Sequence, residues 1–203
     1  MSFEFMTLLV YSPRGISENA QFSRVLAGSC KNGEPRFAAN VALKLRELKA
    51  ESYFLNSALI PIPRSTPLVP GAVFPSRILA ETLVNNNLGN TVHSCLKRTQ
   101  PINKSSNNFS AQTRNTVPTH LGSLEVEPII IPEPTLILID DIFTLGRTAM
   151  ASAMKLQAVY PDKEIKIFCP FRTRGMEDRN LLISLEKGTI ALSLDGNGVR
   201  LPN

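Results

Sequence analysis

Apolar and polar positions along the chain switch between a period near two and a period near 3.6, and the switches mark the elements. Residues Phe5 to Tyr11 have the length and β-rich content of a first strand, closed by the turn Ser12-Pro13-Arg14-Gly15. Ser17 suits the N-cap of a helix running to about Cys30, with Phe22, Val25 and Leu26 on one side. Pro35 suits the first turn of a second helix, in which Phe37, Val41, Leu45 and Leu48 recur at helical spacing up to Ala50. These opening residues read as a small strand-and-helix element, 1–52, that precedes the main sheet as a hood-like piece or an extension of the core.

The next strand is Ala58 to Pro63, where Pro61 and Pro63 each remove a ladder donor and so predict a strand that is ending. Arg64-Ser65-Thr66 then lie just beyond a strand end, where ligands bind in open α/β sheets. Pro75 begins a helix with the stripe Ile78, Leu79, Leu83 and Val84, and Thr91 to Leu96 reads as a short strand leading to Lys97-Arg98-Thr99. Gln100 to Thr119 is polar and aperiodic, a long loop carrying Lys104 and Arg114. Leu121 to Val126 reads as a strand, and Leu136 to Ile139 as one buried on both faces, followed by an Ala- and Met-rich helix. Glu164 to Cys169 is a further strand, with a basic turn Phe171-Arg172-Thr173-Arg174-Gly175 beyond it. A helix from about Glu177 to Leu185 and a strand from Thr189 to Leu194 follow, and Asp195-Gly196-Asn197-Gly198 is a turn. Strands alternating with helices predict an α/β fold with a doubly wound, mostly parallel sheet, its core over 53–203 and a flexible loop at about 98–120.

Composition narrows the function classes. The net charge of +5 invites a polyanion partner, but the basic residues are scattered and form no run of five or six, which argues against nucleic acid as the primary ligand. Cys30, Cys95 and Cys169 are odd in number, far apart and without a Cys-x-x-Cys pair, as expected of free thiols in a reducing cytoplasm. With His93 and His120 the only histidines, no zinc site is suggested. The apolar patch from Met6 to Tyr11 is cut short by Pro13-Arg14, so neither a signal peptide nor a membrane span is expected.

The strand Leu136 to Ile139 ends in two adjacent carboxylates, Asp140 and Asp141, followed by Ile142-Phe143-Thr144-Leu145-Gly146-Arg147-Thr148 and a helix. A Gly- and Thr-containing turn at a helix N-terminus presents N–H groups and hydroxyls to a phosphate. Carboxylates at the strand end accept hydrogen bonds from hydroxyls. The pattern predicts a site for an anionic sugar. Acids after an apolar strand also occur in P-loop nucleotide hydrolases, but those need Gly-x-x-x-x-Gly-Lys-Ser/Thr, which this chain lacks.

The run Ile137-Leu138-Ile139-Asp140-Asp141-Ile142-Phe143-Thr144-Leu145-Gly146-Arg147-Thr148 resembles the phosphoribosyl pyrophosphate (PRPP) motif of type I phosphoribosyltransferases. The wider pattern, with Ile60-Pro61-Ile62-Pro63-Arg64-Ser65, Lys97-Arg98-Thr99 and His120-Leu121-Gly122-Ser123-Leu124, looks like the ComF-type, amidophosphoribosyltransferase-like branch, over roughly Ala58 to Leu194. The resemblance implies that Asp140 and Asp141 accept bonds from the ribose hydroxyls and that Thr144, Leu145, Gly146, Arg147 and Thr148 hold the 5′-phosphate. It implies that Arg64, Ser65, Lys97 and Arg98 contact pyrophosphate, that Lys97, Arg98, Lys104 and Arg114 close as a lid, and that Asp140, Asp141 and Arg114 are the catalytic residues. The implied cofactor is Mg2+, held mainly through PRPP with Asp140 and Asp141 as available ligands.

That resemblance makes PRPP the expected substrate, with transfer of its phosphoribosyl group to a nitrogen acceptor and release of pyrophosphate. A homodimer is left open. Two departures stand out: Leu145 replaces a residue that is usually a small hydroxyl, and no nucleobase-binding signature is present. They keep a second class of function in view, a non-catalytic PRPP or nucleotide sensor, or a competence-related interaction protein.

Overall fold

The computed structural model describes residues 1–103, 114–173 and 180–202. Its elements in chain order are β1 (Ser2–Val10), α1 (Glu18–Lys31), α2 (Pro35–Glu47), β2 (Ser57–Pro61), α3 (Pro75–Asn85), β3 (Thr91–Val92), β4 (Leu96–Arg98) and α4 (Val117–Gly122). β5 (Leu124–Val126), β6 (Thr135–Ile139), β7 (Ile142–Phe143), α5 (Arg147–Val159), β8 (Glu164–Arg172), β9 (Ile183–Leu192) and β10 (Val199–Arg200) follow.

Among the described residues, eight strands form one sheet in the order β10-β9-β1-β8-β6-β2-β3, with β7 alongside β8. The pairs from β1 through β8, β6 and β2 to β3 are parallel, and β9 and β10 are antiparallel additions. The period of two along each strand divides the core. Phe5, Ile60, Leu138 and Ile167 face α5 and the β4–β5 pair. Met6, Leu59, Ile137 and Phe168 face α1, α2 and α3. A mostly parallel sheet covered on both faces is an α/β architecture compatible with double winding.

Pro61 is tolerated in β2 because of where it stands. Ile62 N–H donates to Ile139 O at 2.8 Å, so the neighbouring Pro61 faces the β3 side, and β3 ends after pairing with Ala58 and Leu59. β1 is an interior strand, hydrogen-bonded to β8 and β9, so the residues before 53 extend the core. The small separate sheet is formed by β4 and β5 in mid-chain.

Several expected elements differ. In α1 the buried stripe is Ala20, Ser23, Ala27 and Cys30, while Phe22 and Val25 point to solvent, because small residues let the helix lie close to the layer beneath. The single strand expected from Thr91 to Leu96 is two, β3 and β4, in different sheets. The strand expected from Leu121 begins only at Leu124, since Thr116 caps α4 by accepting from Thr119 N–H at 3.3 Å and the helix runs to Gly122. No helix covers 180–185: Ile183 already pairs with Leu9 in β9, and the rest of that expected helix lies outside the described residues. Arg172 belongs to β8 and is buried against Glu186, not in a basic turn, while Arg174 and Gly175 lie outside the described residues. Cys30, Cys95 and Cys169 are buried free thiols. No helix among the described residues is long and apolar enough to cross a membrane.

Candidate functional site

Parallel strands β1, β8, β6 and β2 end on one side of the sheet, and the segments leaving them wall a cleft of about 800 Å³. Tyr11, Pro13 and Arg14 come from the end of β1, Thr173 from β8, Asp140 and Asp141 from β6, and Arg64, Ser65 and Thr66 from β2. A smaller adjoining cavity of about 70 Å³, room for roughly two waters, lies at the N-terminus of α5 between Thr144 to Ala149 and His120.

The two acids occupy a break between β6 and β7, opposite Cys169 and Pro170 of β8. Their rotamers are set locally: Asp140 Oδ1 accepts from the Asp141 N–H at 2.9 Å, and Asp141 Oδ1 from the Ile142 N–H at 2.7 Å. No ion pair among the described residues involves either acid. Burial, then the neighbouring Asp141 charge, holds the Asp140 carboxyl well above the usual carboxylate range, while Arg98 pulls the other way. Both acids are half-buried and open onto the cleft.

Gly146 is the N-cap of α5 with φ +65°, and a Cβ placed there would lie 3.0 Å from the Phe143 ring. A left-handed residue in so little space calls for glycine, and it turns the first N–H groups of α5 toward the small cavity. No side chain caps that terminus. The N-terminus of α3 also lacks a side-chain cap and reaches the cleft through Pro75 and Ser76, beside Arg64 to Thr66. Ser76 fixes this end by donating its hydroxyl to Ile62 O at 2.7 Å. Two helix N-termini and their partial positive charge thus flank the acids.

The cationic residues divide. Arg64, Arg98 and Arg114 line the cleft. Arg98 is buried, donating Nε–H to Arg64 O at 3.0 Å and Nη1–H to Ser123 Oγ, and burial lowers its pKa to about 10 against the opposing pull of Asp140. Ser65 lines the cleft, and its carbonyl accepts from the Ile102 N–H at 2.8 Å. Lys97 does not join them: β4 alternation turns it outward, where its side chain pairs with Glu127 and is 58% exposed. Lys104 lies outside the described residues. Arg147 lines the small cavity, with Nη1–H donated to Arg114 O at 3.1 Å and Asn115 O at 3.3 Å. Leu145 lines it too, with an apolar side chain.

Sequence reasoning missed His120, Tyr11, Arg14, Lys31 and Thr173 as cleft residues. His120 had a readable signal, since Thr116 followed by Pro118 is a helix start that makes it the fourth helical residue, two after the proline. Thr173 Oγ1 lies 3.2 Å from Thr144 Oγ1, joining the end of β8 to the Thr144–Thr148 loop. No family model matches the chain, and no curated protein matches it in sequence.

Among the described residues no group of three or more His, Cys, Asp or Glu is placed to hold a metal on protein ligands alone. Two adjacent carboxylates facing a cleft do fit Mg2+, which keeps several waters and is commonly held by one or two carboxylates plus substrate phosphates.

Proposed function

We propose that this protein binds PRPP in the cleft and transfers its phosphoribosyl group to a nitrogen acceptor, releasing pyrophosphate, on a fold of the type I phosphoribosyltransferase kind. One observation supports the reading: adjacent carboxylates, in no ion pair among the described residues, line a cleft that the uncapped N-terminus of α3 reaches, with the uncapped N-terminus of α5 at the adjoining cavity. A sugar with a phosphate at each end has this distribution of groups. The 5′-phosphate takes the N-terminus of α5 with the Thr144 and Thr148 hydroxyls. The ribose hydroxyls donate to Asp140 and Asp141. The pyrophosphate lies toward Arg64, Ser65, Arg98 and the N-terminus of α3, with Arg114 at the wall between the two cavities.

The chemistry then follows from placement. The acceptor nitrogen attacks the anomeric carbon as the bond from that carbon to pyrophosphate oxygen breaks; the leaving group departs with the electron pair, and the N–H proton of the acceptor passes to solvent. Arg64, Arg98 and Arg114 stabilise the charge gathering on it, and the acids favour the cationic character of the sugar ring. Mg2+, held through pyrophosphate oxygens with Asp140 and Asp141 available, supplies further charge neutralisation when bound.

The test is pyrophosphate release from PRPP and Mg2+ over a panel of purines, pyrimidines and amines. Release with at least one acceptor, lost in Asp141→Asn, is expected; no release with any acceptor would sink the transferase reading. A second reading, a non-catalytic sensor, draws on Leu145 and on the engagement of Arg147 with the carbonyls of Arg114 and Asn115. Saturable PRPP binding without turnover would favour it.

A further inference from the structure

We infer that His120 is a positioning residue for the phosphate cradle: it donates Nε2–H to Thr148 Oγ1 and so directs the Thr148 hydroxyl hydrogen into the cavity at the N-terminus of α5. This rests on the reading of that cavity as a phosphate site, and it assigns His120 a task that the resemblance did not.

The geometry carries it. His120 is 3% exposed, lines both cavities and places Nε2 at 3.4 Å from Thr148 Oγ1. Its other ring nitrogen, Nδ1, is buried with no hydrogen-bond partner among the described residues. A neutral imidazole carries one N–H. Nδ1 has no partner in either tautomer, and a stranded N–H costs more than a stranded lone pair, which places the proton on Nε2, where it meets the hydroxyl oxygen. Arg98 and Arg147, the charged groups acting on the ring from β4 and α5, favour the neutral ring over the imidazolium. Burial and these two guanidiniums lower the His120 pKa to about 4, so the ring is neutral at pH 7.

The consequence falls on Thr148. Its oxygen, already accepting from His120, is left with its own hydrogen to place, and the small cavity lies beside it. A hydroxyl held as a donor suits a phosphate, which only accepts. Holding that donor in advance favours phosphate over a neutral group of similar size. The support for His120 is itself built: Ser123 Oγ donates to His120 O at 2.9 Å and accepts from Arg98, fixing the end of α4.

Two measurements on the full chain decide it. ¹⁵N shifts of the two imidazoles in the wild type should report an Nε2–H tautomer for His120; an Nδ1–H tautomer overturns the proposal. Calorimetric titration with ribose 5-phosphate then compares variants, since the Gln carboxamide reaches the place of Nε2 and the Asn carboxamide only that of Nδ1. His120→Gln should bind within about twofold of wild type and His120→Asn roughly tenfold more weakly. The double variant H120N/T148V should be no worse than Thr148→Val. Equal affinities for His120→Gln and His120→Asn, or additive losses in the double variant, overturn the inference while the phosphate site stands. If the wild type itself fails to bind ribose 5-phosphate, the phosphate-site reading and this inference fall together. Should His120→Asn fail to fold, Thr148→Val and the tautomer still decide.

Discussion

At the scale of the residue, the two acids differ although they are neighbours. Asp140 is held well above the usual carboxylate range by burial and by Asp141, which makes its charged form a source of instability. Asp140→Asn is therefore expected to raise the melting temperature at pH 7 and to weaken sugar-phosphate binding. Asp141→Asn removes the charge that disfavours ionised Asp140 and keeps an oxygen to accept from the Ile142 N–H, so its melting temperature should not fall, while binding should weaken. Unfolding of Asp141→Asn would make that acid structural. His120 gives a pH dependence of known sign. Its ring titrates near 6.5 in an unfolded chain and at about 4 here, so the unfolded chain binds more protons between those values. Stability is then lost as pH falls from about 6.5 toward 4, by up to about 3 kcal/mol from this group. Asp140 contributes with the opposite slope, so the difference between the urea-unfolding profiles of wild type and His120→Gln isolates the histidine. Parallel profiles would contradict the assignment.

At the scale of the element, Gly146 shows how a backbone requirement becomes a site. Gly146→Ala puts a Cβ in a left-handed conformation against the Phe143 ring, and a loss of about 1–2 kcal/mol is expected on thermal unfolding, together with weakened ribose 5-phosphate binding. Unchanged stability would mean that the α5 cap is not held at positive φ. This stretch was legible in sequence because local rules decide it: the run Leu136 to Ile139, the acids and the Gly-containing turn each declare themselves within a few residues. The proline starts of α2 and α3 and the Ser17 cap of α1 were legible for the same reason. What local rules cannot see is which face a neighbour covers. Phe22 and Val25 of α1 point outward because Ala20, Ala27 and Cys30 permit close packing. Lys97 and Arg98 look alike in sequence, yet one step along β4 sends the first to solvent and the second into the cleft. The segment 183–185 reads as helix by composition and becomes strand because β1 offers it an edge.

At the scale of the whole molecule, the cleft exists because four strand ends from distant parts of the chain are gathered in one row. Asp140, just past the end of β6, has the loop of β2 on one side and the ends of β8 and β1 on the other, so Tyr11 and Arg14 become site walls through sheet order alone. No pattern within the first fifty residues announces this. Because β1 lies between β8 and β9 with Phe5, Met6 and Leu8 buried, a fragment beginning at residue 53 should not fold, and its circular dichroism and urea response should lack a cooperative transition. A cooperative fragment would mean that the first 52 residues are separable from the core. The central claim, that the acids and the N-terminus of α5 hold a phosphorylated ribose, is tested most directly by calorimetric titration of the wild type and Asp141→Asn with ribose 5-phosphate and with PRPP, each with Mg2+. Saturable one-to-one binding of both ligands, at least tenfold weaker in Asp141→Asn, is the expected result. No binding of either ligand by the wild type at millimolar concentration, or equal binding by the two proteins, would contradict it.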